Sequence, residues 1–221
     1  MPRRALIAVC ALAVAGLIAA SLVHRTARAF TLGVQPGFAA VVLQPGQTGC
    51  QQPIDVPAHA AFDRVTVPVG TFFQKGSPLA LTVRSASGAT LARGRLAGGY
   101  PDVGKRPLER IVLDRRVSAP RIAVCVRNEG PRRVALYGNS ALAARTSTAT
   151  RAGQALPYDI SFSFERPPRS LASLAGPMAE RAALWRFPGM PAWIYLILAL
   201  AIVVAVPALL VRALGAAIRA S

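Results

Sequence analysis

Histidine, cysteine, lysine and carboxylates are all scarce in this chain, and each scarcity removes a class of chemistry. Its 221 residues include two histidines and three cysteines. His24 and His59 have no second His or Cys at ligand spacing, so no metal site is expected. A Ser-His-Asp site would have to use His59, in VPAHAAFD, and no nucleophile elbow accompanies it. The acidic residues number nine, enough for a glycosidase pair if two met in space. Asp63, Glu109, Asp114 and Asp159, however, fall at outward or terminal strand positions, where a solvated side chain is the ordinary explanation. The stretch from Gly99 to Arg106, GYPDVGKR, comes within one residue of a P-loop. It fails where the chemistry is needed, because Arg106 replaces the magnesium-binding hydroxyl and Pro107 disturbs the helix that should follow. The sequence therefore assigns no catalytic residue, no metal and no cofactor.

Lysine is nearly absent: of 26 basic residues only Lys75 and Lys105 are lysine, and the net charge is +17. Such a balance invites a nucleic-acid reading. The arginines are dispersed, with nothing longer than pairs such as Arg115-Arg116 and Arg132-Arg133. Nucleic acid is not an expected partner, whereas an anionic lipid or polymer fits a diffuse positive surface.

Charge is missing altogether from two stretches. A hydrophobic content of 53% and a mean hydropathy of +0.41 are too high for an ordinary soluble domain, and the excess sits at the two ends. Residues 5–23, ALIAVCALAVAGLIAASLV, and residues 193–211, WIYLILALAIVVAVPALLV, carry no ionisable group except Cys10 and Tyr195. Each would cross roughly 28 Å of hydrocarbon as a helix. The start, MPRR before an apolar run, has the form of an export signal, and the length of that run favours a retained anchor. Ala27-Arg28-Ala29 offers a cleavage point after Ala29, in an unusually basic setting. Arginines flank both spans on both sides, and a long loop translocates largely regardless of charge, so the export-like start sets the orientation. Both termini are then cytoplasmic and the middle of the chain extracytoplasmic. Small residues, Ala15, Gly16, Ala19 and Ala20 in the first span and Ala201 and Ala205 in the second, would let the spans pair with each other or with a partner's helices.

In an oxidising compartment Cys50 and Cys125 are the only two cysteines of the middle region, with Cys10 confined to the first span, so a Cys50–Cys125 disulfide is expected. Alternation in 121–127 puts Ile122, Val124 and Val126 on one face, leaving Cys125 pointing away from the core toward a neighbouring loop or edge. Residues 121–138 read as one β-hairpin. Six further apolar alternations, among them FDRVTVPV, PLALTVRS and YDISFSFE, are separated by turns such as QPGQTG, SASG and NEGP. In the last, Ile160, Phe162 and Phe164 share the core face. Eight strands without an amphipathic helix between them predict an all-β fold, a jelly-roll-like antiparallel β-sandwich flanked by two transmembrane α-helices. The expected organisation is an anchor helix at 1–24, the sandwich at 30–166, a juxtamembrane interfacial helix at 167–190, a second span at 191–214 and a cytoplasmic tail at 215–221. Pro167-Pro168 ends the sandwich, and residues 139–156 read as a long flap. The segment after the prolines would lie on the membrane surface or pack against the sandwich, with Trp185, Phe187, Trp193 and Tyr195 at the membrane interface.

This arrangement of signal-like span, cystine-bearing sandwich, juxtamembrane helix and second span resembles that of two-pass envelope proteins of GC-rich bacteria. The likeness is one of architecture and carries no functional residue over. Jelly-roll domains outside cells are often glycan-binding, which suggests by analogy of fold a non-catalytic, bilayer-anchored module for an envelope glycan or anionic polymer. Its contact residues would be Tyr100, Tyr137, Arg132 and Arg133. The alternative is an accessory subunit docking on a multi-span membrane enzyme or exporter, as in envelope glycan assembly.

Overall fold

The computed structural model describes residues 2–101, 108–140, 147–176 and 192–220. The chain divides into two compact units, one formed by residues 27–167 and the other by the segments 1–26 and 168–221.

The middle unit is built almost wholly of antiparallel strands. In chain order these are β1 (Arg25–Thr31), β2 (Phe38–Leu43), β3 (Thr48–Asp55), β4 (Phe62–Gly70), β5 (Leu79–Ser85), β6 (Thr90–Leu96) and β7 (Leu108–Val117). They continue with β8 (Arg121–Asn128), β9 (Val134–Asn139), β10 (Thr148–Arg151), β11 (Gln154–Ala155), β12 (Asp159–Ile160) and β13 (Ser163–Ser170). One layer runs β11-β10-β3-β8-β5-β6, and β6 meets β7 where Gly94 stands opposite Leu113. The chain of pairings continues β7-β4-β13-β1. The last two residues of β4, Val69 and Gly70, leave that ladder to pair with β9, which also pairs with β2 and β12.

This arrangement is all-β and sandwich-like, as the alternation predicts, but 121–138 is not a hairpin. Strand β8 pairs with β3 and β5, while β9 pairs with β2, β4 and β12. The five-residue reach of Glu129–Arg133 carries the chain from one layer to the other instead of folding it back. Two further expectations are corrected. Residues 139–156 hold β10 and β11, because Thr148 and Thr150, β-branched and alternating with buried Ala149, fit a half-buried strand. Strand β13 runs on through Pro167 and Pro168, and its resolved pairing with β4 ends at Glu165, so neither proline interrupts that ladder.

The core follows from the pleat. Ile122, Val124 and Val126 are at most 1% exposed, and Leu79, Leu81 and Val83 enter the same cluster from β5. Phe30 stacks on Phe164 with centroids 4.2 Å apart, and Phe62 meets Phe164 edge-on at 4.7 Å, so three strands share one aromatic knot. Cys50 stands directly opposite Cys125 and is bonded to it, the Cα atoms being 4.0 Å apart. Cys125 does face away from the core, but toward the adjacent strand β3 and not toward a loop or edge.

Asp159 departs from the solvated position its alternation suggests. It is buried, and Gln51 Nε2 donates to its Oδ1 at 2.7 Å and to Ser147 Oγ at 2.7 Å, while the Ile160 amide donates to Gln51 Oε1 at 2.9 Å. Burial pushes the Asp159 carboxyl above its usual range, with the Gln51 hydrogen bond opposing that shift in part. A raised carboxyl pKa favours folding while the group is protonated, so stability falls as pH rises above the ordinary carboxylate range. Asp159→Asn keeps an oxygen for Gln51 and removes the charge. It should therefore gain on the native protein between acid and neutral pH, measured by urea unfolding across that range.

In the other unit, α1 (Pro2–Val23) and α2 (Ala192–Ala220) contact each other, and the Leu171 amide donates to His24 O at 3.1 Å. One of the two expected spans has the length and apolarity to cross a membrane: Trp193–Leu210, 18 residues with a mean hydropathy of 2.7. Among the described residues the apolar stretch of α1, Ala8–Val23, is shorter than that measure requires. Trp193 is exposed and Tyr195 half-buried on α2, whereas Trp185 and Phe187, with most of the expected interfacial helix, lie outside the described residues.

Candidate functional site

The most unusual backbone in the described molecule lies between β4 and β5. At Phe72 and Phe73 φ is 55° and 63°, and the Gln74 amide closes the turn on Thr71 O at 3.3 Å. Two consecutive positive φ angles are what a type I′ turn requires, and Asn-Gly is the pair that meets this cheaply. Phenylalanine does not, since its Cβ crowds the backbone there at about 1 kcal/mol or more per residue. The strained turn also leaves Phe73 90% exposed.

Around this turn the structure gathers all four residues that the sequence suggests as contacts. Arg133 places its guanidinium carbon 4.1 Å from the centroid of the Phe72 ring, within cation–π range. Arg132 donates from Nη1 to Lys75 O at 3.3 Å. Tyr100 donates its hydroxyl to Ser77 O at 2.8 Å, and its ring covers Gly76 so closely that any Cβ at that position would overlap it. Tyr137 lays its ring over Gly70, at the root of the same turn.

The two tyrosines and two arginines play different parts. Burial, then the nearby Glu109 carboxylate, raises the Tyr100 hydroxyl above its ordinary range, and burial raises Glu109 as well. Tyr100 is thus a neutral internal donor that shapes the turn from within. Arg132 and Arg133 are exposed and face outward with Lys75. Their turn is fixed by Asn128, fully buried, whose Nδ2 donates to Arg132 O at 2.7 Å and to Leu43 O at 3.1 Å. Ser77 Oγ adds a bond to Arg132 O at 2.8 Å and accepts from the Arg132 amide at 3.1 Å. The result is a rigid corner carrying Phe72, Phe73, Lys75, Arg132 and Arg133, with no carboxylate among them.

Sequence reasoning missed Phe72, Phe73 and Lys75. The signal was the run TFFQKG, an aromatic pair placed in a connection instead of a strand alternation, which reads as core until the turn geometry is known. The corner offers an aromatic face and fixed positive charge but no nucleophile or base. Among the described residues no three His, Cys, Asp or Glu side chains are placed to hold a metal ion.

No family model matches the chain, and no curated protein matches its sequence. The functional reading therefore rests on the chemistry of these side chains.

The strain is itself testable. Phe73→Asn puts a left-handed-tolerant residue at φ 63° and should raise unfolding stability by about 0.5–1 kcal/mol. Such a gain, read by urea titration, means that the native phenylalanine is kept at the expense of fold stability.

Proposed function

We propose that residues 27–167 form a non-catalytic, jelly-roll-like binding module on the extracytoplasmic side of a membrane, and that the Phe72–Phe73 corner holds an anionic polymer of the cell envelope. On this reading both α1 and α2 cross the bilayer, with the chain termini in the cytoplasm, in the manner of the two-pass envelope proteins it resembles. The observation that carries the reading is Phe73, 90% exposed on a strained turn beside Lys75, Arg132 and Arg133. An exposed aromatic among fixed cations suits a chain of sugar or polyol units bearing phosphate or carboxylate groups: the ring packs on carbon-bound hydrogens while the guanidinium groups take the anions. Two further features agree. The unit carries 18 basic against 8 acidic residues, a net +10, and the Cys50–Cys125 bond belongs with an oxidising space. Exposed apolar side chains on both helices, Leu12 and Leu17 on α1 and Ile197 and Leu200 on α2, suit contact with lipid.

The test uses the full chain in neutral phosphatidylcholine nanodiscs, with polygalacturonate and polyphosphate as probes. Binding should weaken with salt. Phe73→Ser combined with Arg132→Glu and Arg133→Glu should lower affinity roughly 100-fold, against less than about threefold for Arg115→Glu with Arg116→Glu. Equal losses from the two sets would reduce the effect to net charge and sink the proposal. So would binding confined to anionic vesicles, or co-purification with a multi-span partner whose contact buries Phe73.

A further inference from the structure

Strand β8 connects two different surfaces. Its Asn128 end supports the cationic corner, and its Arg121 end, about 23 Å away at the rise of an extended chain, forms the floor of a groove in the outer face of the sheet. The groove has a volume of about 490 Å³. Its origin is a β-bulge: Gln51 pairs with Val124 and Ile54 with Ile122, so Gln52 and Pro53 together oppose the single residue Ala123. With only a methyl group beneath the bulge, the surface sinks at Ala123. Thr148 and Thr150 wall the depression from β10, and Ser85 and Ala86 close it at the end of β5.

The lining chemistry is specific. Thr148, Thr150 and Gln52 offer two hydroxyls and an amide around an apolar floor of Ala123 and Pro53. The cation in the wall, Arg121, places its Nε 2.7 Å from Asp55 Oδ1, which leaves the groove close to neutral. An anion would gain little here. Strand addition by an extended peptide is excluded geometrically, because β3 and β8 each have a neighbour on both sides at this point and present a face, not an open edge. The volume lies within the range of ordinary ligand pockets, roughly 300–1,000 Å³, too small for a helix and sufficient for one or two sugar rings. Beside the groove, on the same face, the Cys50–Cys125 bond ties the two strands of its floor one pleat away, Cys50 two residues from Gln52 and Cys125 two residues from Ala123.

The geometry points to this groove as a second binding site, for one or two uncharged pyranose rings. The rings set their apolar faces on Ala123 and Pro53 and exchange hydrogen bonds with Thr148, Thr150 and Gln52. The inference is independent of the polymer-binding corner.

The experiment is ligand-observed NMR and calorimetry on the full chain in nanodiscs, with cellobiose, maltose and chitobiose as probes. At least one should bind saturably. Ala123→Trp, which fills the depression, should weaken it at least about tenfold, and Thr148→Val with Thr150→Val, which removes the hydroxyls and keeps the shape, should do the same. The threonine variant guards against the tryptophan simply disrupting the sheet, and unfolding curves on both verify that each is folded. Phe73→Ser should leave disaccharide binding unchanged. Failure of all three sugars to bind at millimolar concentration, or affinity that survives both groove variants, overturns the site. Neither result bears on polyanion binding, which depends on Phe73 and the arginines.

Discussion

Replacing Cys50 and Cys125 together by alanine is expected to destabilise the β-unit by about 4 kcal/mol, the entropy of closing a loop of this length in the unfolded chain. The two residues are 75 apart in sequence and direct partners across the β3–β8 ladder. A domain of this size has roughly 5–15 kcal/mol in total, so the loss should appear as a fall in Tm of roughly 10 °C. Two comparisons isolate the cause. The native protein unfolded in reductant should match the double variant, and reductant should not shift the variant at all. A loss below about 1 kcal/mol would mean that the ladder alone constrains these strands. Alkylation of the folded protein without reductant, with both thiols labelled, would overturn the assignment to an oxidising compartment as well.

How much of this was legible in the sequence depends on what each segment has to satisfy. Strands with clean alternation, such as β5, β7 and β8, are readable because one face is buried and the period of two survives in the residue types. Strand β3 hides, since TGCQQPID holds Gly49 and Pro53 and buries a glutamine, Gln51, where a hydrophobic residue would be expected. That glutamine is placed by Asp159 and Ser147, both about a hundred residues away, and no local pattern encodes such a pairing. The cysteine pair needed only counting and compartment logic. The non-hairpin at 121–138 needed tertiary information, because a short polar connection between two apolar strands looks the same whether the strands pair or change layer. At the corner, Arg132 and Arg133 were visible as a charge pair. Phe72 and Phe73 were not, because exposure and positive φ are properties of the folded turn.

The corner and the groove share a mechanical basis in β8. Its core face, Ile122, Val124 and Val126, is fixed by burial, and its outer face is pinned at Cys125. Both ends are therefore held in register, a rigid scaffold for the residues at the corner and at the groove.

Gly138→Ala is the other large expected effect, and it tests whether β12 is needed to close the second layer. Gly138 pairs with Phe38 on one side and with Ile160 on the other. A Cβ there would lie far inside van der Waals contact with the Asp159 carbonyl oxygen, and that oxygen is backbone, so no rotamer change relieves the overlap. Strand β12 would have to move off β9, withdrawing Ile160 from the core and breaking the bonds of Gln51 to Asp159 and to the Ile160 amide. The loss of that burial and of a satisfied buried network should cost about 3 kcal/mol or more. Gly37→Ala is the matched control. Its Cβ would approach the Asn139 side chain at 3.2 Å on the same strand, and a side-chain amide can give way, so a loss below about 1 kcal/mol is expected. Urea unfolding separates the two variants, and amide exchange at Ile160 reports the site directly, with protection lost in Gly138→Ala and kept in Gly37→Ala. Equal stability of the two would mean that β12 is a dispensable edge and that Asp159 is buried by circumstance, with no part in holding the layers together.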